Sequence, residues 1–326
     1  MCRYDDTMRF TPRALAKALI YQLPNECERC PACNSPRLFD LDMIRFRRSR
    51  TLGFVTACRG CGLVFSNPLP SEADLAQFYS PSGEWGQTHT RTAATPAPAP
   101  VRKRRGRGKW LRQFDVIRDD LCVETPPPGA RVFDYGCGAG QDLDVLQDCG
   151  WDTWGLETAV DDAFTRHRRL HAVPDEPMFD LVIVNHVLEH LTNPLGLLRR
   201  LAGACRVGGY LLVGVPRFDT LPIHRDYPYV INGRAHVTAY TPACLVGLLA
   251  RAGFGPVDSP SSAAADATAF RLRMLAKRAD GVLPLPASPA RMASQAIRTY
   301  YEGVDERPML TRLGLFRLAA RCGLVP

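Results

Sequence analysis

Cys30-Pro31-Ala32-Cys33 and Cys58-Arg59-Gly60-Cys61 are two CxxC pairs. Four thiolates from two such turns satisfy a tetrahedral zinc ion completely and leave no position for water, so the expected ion is structural. A third spacing, Cys27-Glu28-Arg29-Cys30, overlaps the first. In each turn the residue after the second cysteine must bend sharply, with positive φ typical, which favours asparagine or glycine. Asn34 follows Cys33 and Gly62 follows Cys61, whereas Cys30 is followed by Pro31, whose ring fixes φ at about −65°. The expected ligands are Cys30, Cys33, Cys58 and Cys61, with Cys27 left out.

A second chemical stretch is "VFDYGCGAGQD", where Asp134 precedes Gly136, Gly138 and Gly140 between an apolar strand and a helix. Glycines there let a ligand approach the backbone, and the helix N-terminus behind them is electropositive. The spacing is GxGxG, not the GxGxxG of a dinucleotide site. An acid at position 134 suits a ligand carrying an ammonium group and would repel a pyrophosphate. His186, Glu189 and His190 form HxxEH, the spacing of an inverted zinc peptidase. On a helix these three would share one face and metal binding is open to them. The motif directly follows a buried strand inside an α/β pattern, which argues against a peptidase. His236, in "NGRAHVTAYTP", is a candidate general base, since neutral imidazole suits proton abstraction near neutral pH. His224 is a weaker candidate.

Positioning these groups requires two kinds of element. Thr11 and Pro12 start a helix through about Tyr21, within an N-terminal segment 1–24. A zinc-ribbon module over 25–85 carries "LFDLDMIRF" and "TLGFVTA" as hairpin strands, then "SEADLAQFYS" with Ser71 and Asp74 as a capping box. Residues 86–109 are an Ala/Pro- and Arg-rich linker. Over 110–280 strands alternate with helices: "RVFDY", "QDLDVLQDCG" stopped by Gly150, "DTWGLE", "MFDLVIVN", "NPLGLLRRLAGACRVGG", "YLLVGVP", "TPACLVGLLARAGF" and "AFRLRMLAKR". That alternation predicts an α/β fold, a parallel sheet with helices on both faces. A helical tail is expected over 281–326.

The segment from Ala130 to Phe254 resembles the class I S-adenosylmethionine-dependent methyltransferases, which have a Rossmann-like sheet. The resemblance implies that Asp134, Gly136, Gly138 and Gly140 hold the amino-acid portion of S-adenosylmethionine. It also implies that Glu157, in "WGLE", accepts the ribose hydroxyls and that "FDLVIVNHVLEHLTNP" is the fourth strand and its turn, with Asn185 at the cofactor. Between Glu157 and Phe179 the chain is short for a helix and third strand, and "HAVPDEP" offers Asp175 as the adenine-side acid. A zinc module ahead of such a domain is similar to sugar and natural-product methyltransferases, where it helps shape the acceptor site. Their catalytic histidine is matched by His236, although the acid before it is replaced by Ala235; His190 is the second catalytic candidate. Relatives that methylate RNA ends or phenols place a divalent metal near comparable positions, which implies Glu189, His190 and His236 as an alternative metal site.

The 326 residues, 46% hydrophobic, suffice for two domains. No apolar run reaches about 18 residues, so no membrane span is expected. Acids near the N-terminus and Lys17 in its apolar stretch argue against a secretory signal, so a cytoplasmic protein with reduced cysteines is expected. The net charge of +8 is smaller than the ten positive charges in two runs, Arg45–Arg50 and Arg102–Lys109. Basicity belongs to those segments, which read as solvated tethers, and nucleic-acid contact through the linker is the lesser reading. The expected function is methyl transfer from S-adenosylmethionine to a small-molecule acceptor: a sugar, nucleotide-sugar or natural-product hydroxyl or carbon. The alternatives are an RNA methyltransferase, or a zinc-ribbon interaction protein with an inactive methyltransferase domain.

Overall fold

The computed structural model describes residues 27–45, 52–84, 86–87, 126–158, 164, 166–224, 230–257, 271–281, 283–285 and 290–302. The expected helix over 1–24, nearly all of the 86–109 linker and residues 303–326 of the tail lie outside them.

Near the N-terminus, β1 (Leu38–Arg45) and β2 (Leu52–Cys58) form an antiparallel hairpin, and β3 (Val64–Asn67) adds to β2. Helix α1 (Glu72–Tyr79) follows, its first turn closed by reciprocal bonds between Ser71 and Asp74. The larger sheet contains β4 (Arg131–Tyr135), β5 (Asp152–Leu156), β6 (Arg168–Arg169), β7 (Phe179–Asn185) and β8 (Cys205–Pro216). After β9 (Thr238–Ala239) of the small sheet, β10 (Phe254–Pro256) and β11 (Arg271–Arg278) complete the large one in the order β10-β11-β8-β7-β4-β5-β6. Strands β4 to β8 pair in parallel, and β11 runs antiparallel to both neighbours. Val132, Phe133, Leu181, Val182, Ile183 and Val184 are buried, as unbroken apolar runs covered on both faces must be.

Helix α2 (Gln141–Asp148) follows β4, α3 (Pro194–Ala204) precedes β8, and α4 (Leu221–His224) and α5 (Pro242–Ala252) follow it. Asn193 caps α3 and Thr241 caps α5, each followed by proline at the first helical position. Chain order reverses on either side of β4, so the crevice at the carboxyl ends of β4 and β7 is the topological switch point where ligands bind such sheets. Two local expectations change. The "RVGG" segment is not the end of α3: β8 begins at Cys205, and a register shift opposite Phe179–Leu181 absorbs the extra residues as a bulge. The third strand, β6, is only two residues long, as the short connection before Phe179 requires.

The small sheet has the order β1-β2-β3-β9, so a strand from beyond the large sheet's β8 completes it. Leu63 and Phe65 pack into the main core with Leu195, Leu198, Leu245 and Leu248. On the other side, Val55, Ala57 and Val64 pack with Phe218, Leu221, Ala239 and with Ala293 and Ala296 of α6 (Ala290–Glu302). Among the described residues no helix is long and apolar enough to cross a membrane.

Candidate functional site

The two CxxC turns bring Cys30, Cys33, Cys58 and Cys61 together, their sulfurs all within 4.8 Å of one another. Cys30 Sγ lies 3.6 Å from Cys61 Sγ, and Cys33 Sγ 3.5 Å from Cys58 Sγ. Tetrahedral zinc with thiolates at about 2.3 Å sets sulfurs about 3.8 Å apart, so the cluster fits such an ion with little adjustment. Asn34 and Gly62 have φ of 58° and 76°, and each amide returns to the carbonyl of the turn's first cysteine. Gly60 N–H donates to Cys58 Sγ at 3.2 Å. Hydrogen bonding with Cys30 draws the Cys33 thiol down to about 6, and hydrogen bonding with Cys30, Cys33 and Cys58 pushes the Cys61 thiol up. The spacing of the four sulfurs is compatible with a shared zinc ion. Cys27 stands outside the cluster, its backbone clamped by the Asn67 side chain at 2.8 and 3.3 Å.

The glycine loop leaves β4 with Gly136, Gly138 and Gly140 at φ of 78°, 53° and 76°. A Cβ on Gly136 would strike Val187 at 2.6 Å, whereas one on Gly138 would meet nothing within 4 Å. Gly136 therefore serves the packing of the β7 turn, and Gly138 faces open space that a ligand can fill. Glu157, directly after β5, accepts from Gly138 N–H at 3.0 Å and from Thr158 N–H at 2.7 Å, which ties this acid to the glycine loop. Asp134 is 3% exposed. Burial, then the charges of Asp142 and Glu157, pushes its carboxyl well above the ordinary range. Asp142 is held up at about 6, again chiefly by burial, although hydrogen bonding with Asn185 opposes the shift. This cradle fits S-adenosylmethionine, whose ammonium and sulfonium groups would discharge the strain of clustered carboxyls. Asn185 ends β7 with its side chain against Gly214, where a Cβ could not fit, and connects to Asp142. The Asp175 carbonyl lies 3.8 Å from where a Cβ on Gly203, in the last turn of α3, would stand.

The HxxEH segment is not one regular helical face. His186 has φ of 57°, a left-handed conformation uncommon for this residue, and only Leu188–His190 form a 3₁₀ turn. That bend returns His186 Nδ1 to Glu189 Oε1 at 2.9 Å. Glu189 is fully buried, and its other oxygen, Oε2, has no hydrogen-bond partner among the described residues. Burial raises its pKa, but the His186 hydrogen bond and the charges of His190, His186 and His236 outweigh burial and hold the carboxyl below the usual glutamate range. His190 and His236 stack edge to face with centroids 4.8 Å apart. His190 Nδ1 meets the Ala235 carbonyl at 2.9 Å and the Tyr79 hydroxyl at 2.6 Å. A carbonyl only accepts, so in the contact with Ala235 it is Nδ1 that carries the proton.

The two histidines predicted from the sequence thus meet at one place, around a carboxylate. His224 closes α4, and its side chain lies outside the described residues. Several groups went unnoticed in the sequence. Tyr79 brings the end of α1 against His190. Asn232 Oδ1 accepts from the amides of Arg234, Ala235 and His236 at 3.1, 2.8 and 3.1 Å, shaping the His236 loop. Val237 N–H donates to Glu189 O at 2.8 Å, while Thr238 and Tyr240 hydroxyls donate to Leu188 O at 2.9 and 2.8 Å. The only sequence signal for Asn232 is Asn-Gly, which marks a turn without naming its purpose.

Residues 106–259 match a family model described as a methyltransferase domain. An uncharacterized 37.1 kDa protein in transposon TN4556 of Streptomyces fradiae is 28% identical over 131 residues, 35% of this chain and 37% of that protein. The match therefore spans little more than a third of that relative's length. A ubiquinone biosynthesis O-methyltransferase of Ruegeria pomeroyi is 26% identical over 216 residues, 58% of this chain and 84% of that one. Among solved structures, magnesium protoporphyrin IX methyltransferase from Synechocystis PCC 6803 with bound S-adenosylhomocysteine aligns at 16% identity, covering 64% of this chain and all of that one, with a TM-score of 0.45. The parallel sheet with its antiparallel β11 gives the chain a Rossmann-like class I methyltransferase fold, and its segment 106–259, which includes the glycine cradle, is similar to methyltransferase domains.

Proposed function

We propose that the protein transfers the methyl group of S-adenosylmethionine to a small-molecule acceptor, with a zinc ion fixed by Cys30, Cys33, Cys58 and Cys61 as structural support. A sugar, nucleotide-sugar or natural-product hydroxyl or carbon is the acceptor class, and the likeness to ubiquinone biosynthesis O-methyltransferases favours oxygen. The observation that carries this reading is the buried Glu189 set between His190 and His236 at the carboxyl end of β7, beside the glycine cradle. Methyl transfer is an in-line displacement at the sulfonium carbon, so the protein aligns donor and acceptor and provides for a proton. Asp134, Gly138 and Glu157 hold the donor, and S-adenosylmethionine supplies the electrophilic methyl. His236, half-buried and on a loop held by Asn232, takes the acceptor's proton. Its neighbour Ala235 lacks an acid, but Glu189 supplies a carboxylate from the opposite wall and stabilises the imidazolium that forms.

The test is transfer of labelled methyl into a panel of sugar nucleotides and phenolic or aliphatic alcohols, with RNA included. Glu157→Ala should weaken calorimetric binding of S-adenosylhomocysteine at least tenfold, whereas His236→Ala should spare that binding and remove turnover. Folded protein that gives no heat with either cofactor form, or that labels RNA and no small molecule, would overturn the proposal.

A further inference from the structure

We infer that Arg166 and His167 are positioning residues for the cofactor: joined on Asp144, they hold the loop from Gly138 to Gly140 in the conformation that receives S-adenosylmethionine. The inference rests on the proposed binding of S-adenosylmethionine and deepens it, because both residues act through the loop and not on the ligand. Asp144 lies in the first turn of α2, directly behind the glycine loop. Its Oδ1 accepts from Arg166 Nε at 2.6 Å and its Oδ2 from Arg166 Nη2 at 3.2 Å, the paired contact that guanidinium and carboxylate geometries favour. The same Nη2 donates to the Ala139 carbonyl at 2.9 Å, so one side chain joins the loop to the helix it leads into.

His167 braces the same carboxylate from inside the protein. Its side chain is buried, with Nε2 3.0 Å from Asp144 Oδ1 and Nδ1 2.9 Å from Thr153 Oγ1 in β5. A carboxylate only accepts, so in the contact with Asp144 it is Nε2 that carries the proton, and Nδ1 of the neutral ring accepts from the Thr153 hydroxyl. Burial draws the His167 pKa below the ordinary histidine value, against the opposing hydrogen bonds with Asp144 and with the Gly140 backbone. Consecutive side chains therefore grip consecutive loop residues, Ala139 and Gly140, while sharing one carboxylate. From the opposite side Glu157 accepts from Gly138 N–H at 3.0 Å. The stretch Gly138-Ala139 is thus tied at its amide by Glu157 and at its carbonyl by Arg166.

The loop needs such ties because its glycines give the backbone many conformations to choose from. Time spent outside the receptive conformation lowers the apparent affinity in proportion. The short connection after β5 serves this purpose: it returns the chain to β6 beside α2, and the two residues just before β6 are the ones that reach the loop. The ion pair of Arg166 with Asp144 is 43% exposed on both sides, and a pair so wet adds little to global stability. Its loss should therefore be felt in the loop and in ligand affinity, with little change in melting temperature.

The experiment measures S-adenosylhomocysteine binding to the full-length protein and to its Arg166→Ala and Arg166→Lys variants, by calorimetry for affinity and surface plasmon resonance for rates. Arg166→Ala should weaken affinity about tenfold, as for a loop that is receptive about a tenth of the time. The loss should fall on the association rate constant, with dissociation unchanged. Hydrogen exchange should quicken over residues 136–140 and not in β5, and the melting temperature should move by no more than about 2 °C. Arg166→Lys keeps the charge without the planar, two-pronged donor and should recover only part of the affinity. Unaltered affinity or unaltered loop exchange in Arg166→Ala overturns the inference. So does a loss carried wholly by faster dissociation, which would mark a direct contact with the ligand, and so does full recovery by lysine, since charge alone would then suffice. Wild-type protein that gives no heat with S-adenosylhomocysteine instead defeats the proposed function, and the inference with it.

Discussion

Gly136 and Gly138 differ in what they face, and that difference separates folding from binding. Both have positive φ, so an alanine at either strains the backbone by about 1 kcal/mol. At Gly136 the new Cβ would also collide with Val187 at 2.6 Å. Gly136→Ala should therefore lower the melting temperature by several degrees more than Gly138→Ala, as measured by calorimetric scanning. Gly138→Ala should show its main loss in affinity for S-adenosylhomocysteine. Asp134 gives a second expectation. In the ligand-free protein its carboxyl retains a proton to unusually high pH, chiefly through burial. A cationic ligand favours the ionised form and draws the pKa down, so binding releases a proton and affinity rises with pH until the free-state pKa is passed. Calorimetry of S-adenosylmethionine binding in buffers of different ionisation enthalpy should register that proton, and Asp134→Asn should abolish it. The GxGxG spacing and the acid before it were legible because a close ligand restricts residue type locally. The His186 conformation and the Glu189 orphan oxygen were not, since both depend on where a turn places neighbouring strands.

At the level of elements, the His236 loop is held from two directions. Asn232 gathers three of its amides, and Val237 joins Glu189 on one side and Ser66 of β3 on the other. Replacing Asn232 with alanine orphans those buried or half-buried donors and should cost about 1–3 kcal/mol of stability. The Asn232→Ala protein should retain S-adenosylhomocysteine affinity while losing at least tenfold in kcat/KM, measured with whichever acceptor the panel identifies. The hairpin, the capping box at Ser71 and the proline-initiated helices α3 and α5 could all be read from local sequence, because each depends on contacts within a few residues. Strand β9 could not. Thr238–Ala239 is two residues long and is defined by pairing with Phe65 and Val64, far away in sequence. The end of α3 was misplaced for a related reason: parallel pairing with β7 recruits Cys205 into β8 and overrides the local helical pattern.

Over the whole molecule, two clusters of apolar side chains share the small sheet as their partition. Leu63 and Phe65 join the core of the large sheet, and Val55, Ala57 and Val64 join α6. Deleting residues 290–326 would uncover the second group, so the shortened protein should melt earlier and bind a hydrophobic dye more strongly. The alternation of strands and helices made the large sheet legible from sequence, since βαβ units are connected over short distances. Placement of the cysteine module was not legible, because it depends on a surface formed by segments on both sides of the linker.

Because β9 belongs to the cysteine-bearing sheet yet begins two residues after His236, order at the knot is transmitted directly to the chemistry-bearing loop. Removing the proposed zinc from the four thiols should therefore loosen His236, which is not among its ligands. Inactivation by thiol oxidation should accordingly set in while the donor nucleoside still binds, making the protein's redox state a control on transfer and not on cofactor capture.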